Sequence, residues 1–548
     1  MKRGWPVRLV CAIGLSWLAS VLPVSAQRPL LWQRRANTFR IEIGKRPMEI
    51  ELVTASLVRV SRGVLSSSRR PYTDEPVEAH ATGLPGGLQI DTQELRLQVS
   101  NTDGLVRVSL LGGLTLLVET AAQLLDGAAR LEFEIQPSEK LYGFGPRPHW
   151  ELDARGLLLK SATPSYISSR GYSVWFPGSP LFEFDVGSSR KDRLSIRGQQ
   201  IGNLEYFLAF GPSVKEIWEQ RMKVQGSMQQ TVAAADVEFL RGAWLPRGAT
   251  PLPMTGQVCE DARALVHAAL SGVFLPAFDL AKYQQAEEAT FQRAVSLGLL
   301  APVLFDSSPQ TWPPSRQTML DQVAKRRKQL NHYLLVYADE VRARGYPVIH
   351  PLLMQFPRDP LAARRADLFM VGDEMLVAPF CDGQPRTFYL PMGQWTDWNT
   401  ERIYPGKREV ELEAPGDGVI LLIKNGSIVP VAGVESGDPT QLHYFPKNGG
   451  EFFIYEPEAS DYTQIHASPA AEVYRLEIES KVSRLYEWVL HHMDKPAAVE
   501  QVSGPIYRQA PAPGPLTPGS WRYDERMRRL HIGVDAAAHS DVIVNVRF

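Results

Sequence analysis

The chain has 548 residues, enough for three or four domains of ordinary size. Hydrophobic residues make up 44% and charged residues 22%, as in globular proteins with sizeable cores. A formal net charge of −1 gives no footprint for a nucleic acid or other polyanion, and three cysteines rule out a disulfide scaffold or a cysteine-rich zinc site.

Residues 1–26 have the layout of a secretory signal. Lys2, Arg3 and Arg8 form a positive end, an apolar run follows from Leu9 to Leu22, and Val24-Ser25-Ala26 is a cleavage-like tripeptide. The other reading is a retained membrane anchor, for which the run is short. Nothing later is long and apolar enough to span a bilayer. Cys11 would leave with the leader, so only Cys259 and Cys381 remain in a chain expected to be exported, periplasmic or secreted.

From Gln27 to about Leu208 the sequence alternates at period two in short runs, such as Phe39–Ile43 and Leu95–Val99, separated by breaks such as Leu84-Pro-Gly-Gly. That pattern predicts a large antiparallel β-sandwich, assigned to residues 27–224. Gly211-Pro212 starts a helix that leads away. Residues 225–253 then read as a linker with one strand at most.

Residues 254–368 read as α/β. Met254 follows the end of one buried strand, Gly256 opens a loop, and Asp261 is the expected cap of a helix over Ala262–Leu270. Gly272 stops that helix, and Val273–Phe278 is a second buried strand ending on Asp279. The unit places polar residues at both strand C-termini, where α/β barrels keep their chemistry. The first of those tips carries Gln257, which cannot ionise. Further on, Arg316–Arg342 carries an amphipathic stripe of Leu320, Val323, Leu330, Leu334, Tyr337 and Val341. Arg327 interrupts the stripe, and Tyr337 needs a hydroxyl partner if buried. Residues 369–435 and 436–548 read as proximal and distal C-terminal β-sandwich domains.

Several motifs carry a resemblance. Glu139-Lys-Leu-Tyr-Gly-Phe-Gly and Pro164-Ser-Tyr-Ile-Ser-Ser-Arg-Gly-Tyr-Ser-Val-Trp-Phe lie in the first sandwich. Gly345-Tyr-Pro-Val-Ile-His-Pro-Leu, Phe369-Met-Val-Gly-Asp-Glu-Met-Leu-Val-Ala-Pro, Tyr389-Leu-Pro-Met-Gly-Gln-Trp-Thr-Asp-Trp and Asn425-Gly-Ser-Ile-Val-Pro follow later. In order and spacing they resemble glycoside hydrolase family 31, the α-glucosidase and α-xylosidase family. The resemblance implies a galactose-mutarotase-like N-terminal β-sandwich, a (β/α) barrel and C-terminal β-sandwich domains. It implies an α-linked oligosaccharide or glycoside as ligand, with no metal and no cofactor. The 12 Trp and 18 Tyr are compatible with sugar stacking and equally with core packing.

A retaining glycosidase needs two carboxyl groups roughly 5 Å apart, one a nucleophile and one an acid/base. The family's nucleophile lies in a Trp-x-Asp-Met-Asn-Glu type segment on the fourth barrel strand, and no such segment occurs here. About 30 residues separate the end of the sandwich near Val224 from the sixth-strand motif at Thr255. Five strands and their helices would need well over 100. The family's Gly-Asp-Asn reads Gly256-Gln257-Val258, putting an amide at the acid/base position. Its Pro-x-x-Arg-x-His reads Pro302-Val-Leu-Phe305-Asp306-Ser307, without the cation or the imidazole.

Of the pocket set, Asp279 is retained, either to bind a sugar hydroxyl or to cap a helix. Glu260 and Asp261 are the nearby acids able to substitute for the lost Asp, and an acid at a helix start has a structural reason to be there. His350, where the family has Arg, reads as a packed strand histidine, and Trp395 and Trp398 as core. The expectation is a truncated (β/α) barrel remnant without strands one to five, in a carbohydrate-binding descendant with little or no turnover. The alternatives are an active glycosidase with a rebuilt site and a structural subunit pairing with a full-length relative. The open sheet of a remnant needs cover, from the linker, from the flanking sandwiches, or from a second copy in a homodimer.

Overall fold

The computed structural model describes residues 30–548, apart from 45, 64–71, 179–180, 200–201, 226–238, 242–244, 246–248, 309–310, 436, 471 and 512–515. The signal-like segment and most of the linker therefore lie outside the described residues. Among those described, no helix is long and apolar enough to cross a membrane.

The period-two segments form an eight-stranded and a nine-stranded antiparallel sheet over one apolar core. Leu95–Ser100 shows the logic: Leu95, Leu97 and Val99 are buried and alternate with half-buried polar residues. Helix α1 (Val214–Gln225) leaves the sandwich with Trp218 fully buried. Arg221 on the same helix lies over the rings of Trp175, Trp218 and Phe274, and donates to Ser165 Oγ at 2.8 Å.

Next comes a four-stranded parallel sheet. Leu275–Asp279 and Val303–Asp306 form its centre, with every residue buried, as expected of strands covered on both faces. Ala249–Pro251 and Phe239–Arg241 form its edges. The expected linker thus supplies two strands where at most one was read, one for each edge. Each is only three residues long and has no room to show a period.

Helix α2 (Val258–Leu270) is the hub of the chain. Glu260 and Arg263 are its only residues that are not buried. It starts before Asp261, with Gln257 at the N-cap, so Asp261 is not its cap. On one side it meets the N-terminal sandwich. A Cβ on Gly143 (φ +96°) would come within 2.7 Å of the Leu270 carbonyl oxygen, so that approach requires glycine. Gly145 N donates to Ser271 Oγ at 2.8 Å, and His267 Nε2 lies 2.8 Å from the His149 carbonyl. On the other side, Cys259 is disulfide-bonded to Cys381 in the C-terminal region. The two cysteines left outside the signal-like segment therefore form one cross-link, since the fold brings together residues 122 positions apart.

The helical run is two helices, α4 (Pro314–Gln329) and α5 (Asn331–Arg344), which meet at Leu330; α3 (Glu288–Leu299) precedes them. Arg327 stays in the stripe fully buried, donating to the carbonyls of Leu299 and Pro302, each at 2.6 Å. These carbonyls lie between α3 and the strand that follows, so the cation satisfies acceptors that no regular element serves.

Ile349–Pro351 pairs antiparallel with Phe369–Val371. The motif that starts at Gly345 thus places its strand in a C-terminal six-stranded sheet. Likewise Ile428–Val431 pairs with Thr440–Tyr444, so the distal sheets begin at Ile428 rather than after 435. One apolar cluster runs from Tyr142 and Ile167 of the first sandwich, through α2 to α5, to Tyr444 and Trp488 of the distal domain. The parallel sheet is covered from within the chain.

Candidate functional site

Alternating strands and helices collect polar side chains at the C-terminal ends of parallel strands. Three carboxylates gather at that end. Asp279 closes its strand and accepts Ala281 N at 3.0 Å, capping the short 3-10 turn Leu280–Tyr283. The same carboxylate accepts Ser307 N at 3.1 Å and Ser307 Oγ at 2.6 Å, tying the two central strand tips together. Asp306 closes the neighbouring strand and accepts Ser308 N at 3.0 Å and Trp312 Nε1 at 2.6 Å.

Asp261, fully buried within α2, reaches back over the loop. It accepts Thr255 N at 2.7 Å, Thr255 Oγ1 at 3.1 Å, Gly256 N at 3.1 Å and Tyr283 OH at 2.6 Å. Burial raises its pKa and is the largest influence, while these donors pull it back toward the carboxylate. Each of the three acids has its oxygens engaged by backbone or side-chain donors, which makes them fasteners of the strand tips.

Gln257 is exposed, and its side chain makes no capping bond. Glu260 is half-buried one turn along. Of the acids named as substitutes, Asp261 is enclosed and Glu260 is the one solvent can reach. Among the described residues, no three His, Cys, Asp or Glu side chains come together to hold a metal ion.

The remaining candidates lie elsewhere. His350 is buried, with Nδ1 3.1 Å from Asp373 and 2.6 Å from Gln355 Nε2, and it meets Tyr337 edge-on. Trp395 is buried and donates to the Pro391 carbonyl at 3.0 Å. Trp398 is half-buried, its ring 4.8 Å from that of His443.

Sequence reasoning missed Glu374, which accepts Tyr337 OH at 2.5 Å and Tyr333 OH at 2.8 Å. Burial, then the neighbouring Asp373 charge, pushes its carboxyl up to about 7. The demand of Tyr337 for a partner was the one available signal. Gly372 beside it admits no side chain, because a Cβ would come within 2.1 Å of the Tyr337 ring.

Residues 345–429 match the glycosyl hydrolase family 31 C-terminal domain. The alpha-glucosidase of Saccharolobus solfataricus is 32% identical over 134 residues, covering 24% of this chain and 18% of its own length. The SITS-binding protein of Tetronarce californica is 32% identical over 130 residues, 22% of this chain and 18% of its own length. The aligned stretches therefore span less than a fifth of these relatives. Among solved structures, a GH31 dextranase of Flavobacterium johnsoniae complexed with isomaltotriose superposes with a TM-score of 0.76 over 94% of this chain and 99% of that one. At 14% identity this is a likeness of fold.

Proposed function

From a chain that resembles glycoside hydrolase family 31 in its 345–429 domain and in its fold, we infer an exported carbohydrate-binding protein that does not turn its ligand over. Its ligand is an α-linked glucoside, xyloside or oligosaccharide, and its parallel sheet is the remnant of a barrel that lacks strands one to five. The observation that carries this reading is the state of the strand tips. Gln257 stands where the family resemblance puts the acid/base, and Asp261, Asp279 and Asp306 are engaged by donors of the fold. An amide can accept or donate a hydrogen bond but cannot deliver a proton, a loss that typically costs about 10²–10⁴ in rate. Loss of the nucleophile removes the covalent route altogether.

One rival keeps a specific observation. Glu260 is accessible in the first turn of α2 and would serve a rebuilt glycosidase site. Hydrolysis of aryl α-glycosides by the full chain, abolished by Glu260→Ala, would overturn the non-catalytic reading. Pairing with a full-length relative through the parallel sheet has less support, because both edges are three-residue strands.

Binding is tested by melting the protein with α-glucosides and α-xylosides. A ligand at about 100 times its Kd adds roughly 2.7 kcal/mol. The expected result is a sugar-specific rise in midpoint without hydrolysis.

A further inference from the structure

We propose that a cleft at the opposite end of the parallel sheet from Asp279 and Asp306, bordered by α3, the α4–α5 junction and the proximal C-terminal sheet, is a binding site for a neutral sugar ring. The chain path fixes its location. Leu275–Asp279 runs toward the strand tips, α3 returns, and Leu299 and Leu300 at its end line the cleft just before the next strand begins at Val303. The volume is about 360 Å3, at the small end of the range for ligand sites and suited to one or two sugar rings.

The lining has the chemistry of polyol recognition. Trp398 presents an aromatic surface, while Arg326, Gln329, Asn399 and Asp417 supply donors and acceptors around it. Leu300, Met375 and Leu421 add an apolar wall. A sugar ring has the matching character, with C–H groups on its faces and hydroxyls at its rim. One cation and one anion among the lining residues favour a neutral ligand over a phosphate or an ammonium ion.

Two details show that the wall is built. Trp398 is held from behind by the rings of His443 and Phe445, and its backbone N donates to the Leu421 carbonyl at 2.9 Å. The Gln329 carbonyl accepts Ala432 N at 2.7 Å, which locks the helix junction to the distal domain. Within this fixed frame Asp417 Oδ1 is shielded from solvent and has no hydrogen-bond partner among the described residues.

The choice of sugars as probes rests on the carbohydrate reading above; the location does not. The full chain is titrated calorimetrically with maltose, isomaltose and methyl α-xyloside, alongside Asp417→Asn and Asn399→Ala. Both variants are first required to melt with wild-type cooperativity. Should Asn399→Ala fail that check, the isosteric Asp417→Asn carries the test. The expected result is a wild-type Kd weakened tenfold or more by each substitution. Wild-type binding left unchanged by both would overturn this site and leave the carbohydrate reading standing. A chain that binds none of the three sugars overturns both.

Discussion

Cys259, in the first turn of the most buried helix, is bonded to Cys381 of the C-terminal region, with Arg386 Nη1 3.6 Å and 3.3 Å from the two sulfurs. The bridge joins the loop that carries Gln257 to the C-terminal sheets. Closing a loop of this length limits the unfolded chain by about 4–5 kcal/mol in the chain-entropy model. Cys381→Ser, or reduction with dithiothreitol, should lower the first thermal midpoint by several degrees, and the oxidised protein should show no reactive thiol from either residue. A reduced sample that melts with the oxidised one would show that packing alone holds the two regions together.

Asp279 accepts three hydrogen bonds at two strand tips, so its removal is a stability experiment. Asp279→Ala leaves Ala281 N and Ser307 without their acceptor. The expected cost is about 1–3 kcal/mol, read as a lower urea midpoint at constant slope. Asp279→Asn retains one acceptor oxygen and should recover part of the loss. If sugar affinity falls while the urea midpoint holds, Asp279 belongs to a binding surface instead.

The strand Leu275–Asp279 and the stop at Gly272 were legible because a short apolar run and a glycine are local signals. The start of α2 was not. An acid near a helix start reads as a cap, yet Asp261 lies inside the first turn and reaches back to Thr255 and Gly256. Loop closure, rather than helix propensity, places it there. The edge strands Phe239–Arg241 and Ala249–Pro251 are recruited by their neighbours and carry no pattern of their own. The helical stripe continues across Leu330, where the chain changes helix, although α4 buries it against α3 and the parallel sheet and α5 buries it against the distal strands. Of the site, the amide at Gln257 was legible in the residues themselves. The bonds that Asp261 accepts from Tyr283 and Asp279 accepts from Ser307 depend on neighbours 22 and 28 residues away, which no local pattern announces.

Glu374 should make stability depend on pH in a defined window. Its carboxyl titrates near 4.5 in the unfolded chain and at about 7 in the fold, because burial and then Asp373 disfavour its charge. Between those values the folded protein holds a proton that the unfolded chain has released. Stability is therefore full below about pH 4.5 and declines as pH rises toward 7. The full swing is on the order of 3 kcal/mol. Asp373 acts in the opposite sense, because His350 and then Lys215 hold its carboxyl below the usual range against the effect of burial, so its contribution appears above pH 4. Urea midpoints from pH 5 to 7.5 should fall for the wild type and flatten for Glu374→Gln, which can still accept from Tyr333 and Tyr337. Parallel slopes in the two proteins would place the titration elsewhere.

The proposed loss of the nucleophile and the proposed loss of the acid can be tested separately with one substrate. A 2,4-dinitrophenyl α-glucoside carries a leaving group that departs without protonation, so a site lacking only its general acid still forms the glycosyl-enzyme and releases the phenol. A site lacking its nucleophile does not. On the non-catalytic reading proposed above, Gln257→Asp puts an acid back at the strand tip but leaves the opposite face of the sugar without a carboxylate. The activated glucoside should therefore show no burst and no turnover above the uncatalysed rate with the wild type, and none with Gln257→Asp. A stoichiometric burst of dinitrophenol from the wild type would mean that a carboxylate of this chain attacks the anomeric carbon. Glu260→Ala would then be the variant to decide whether the accessible acid of α2 is that group.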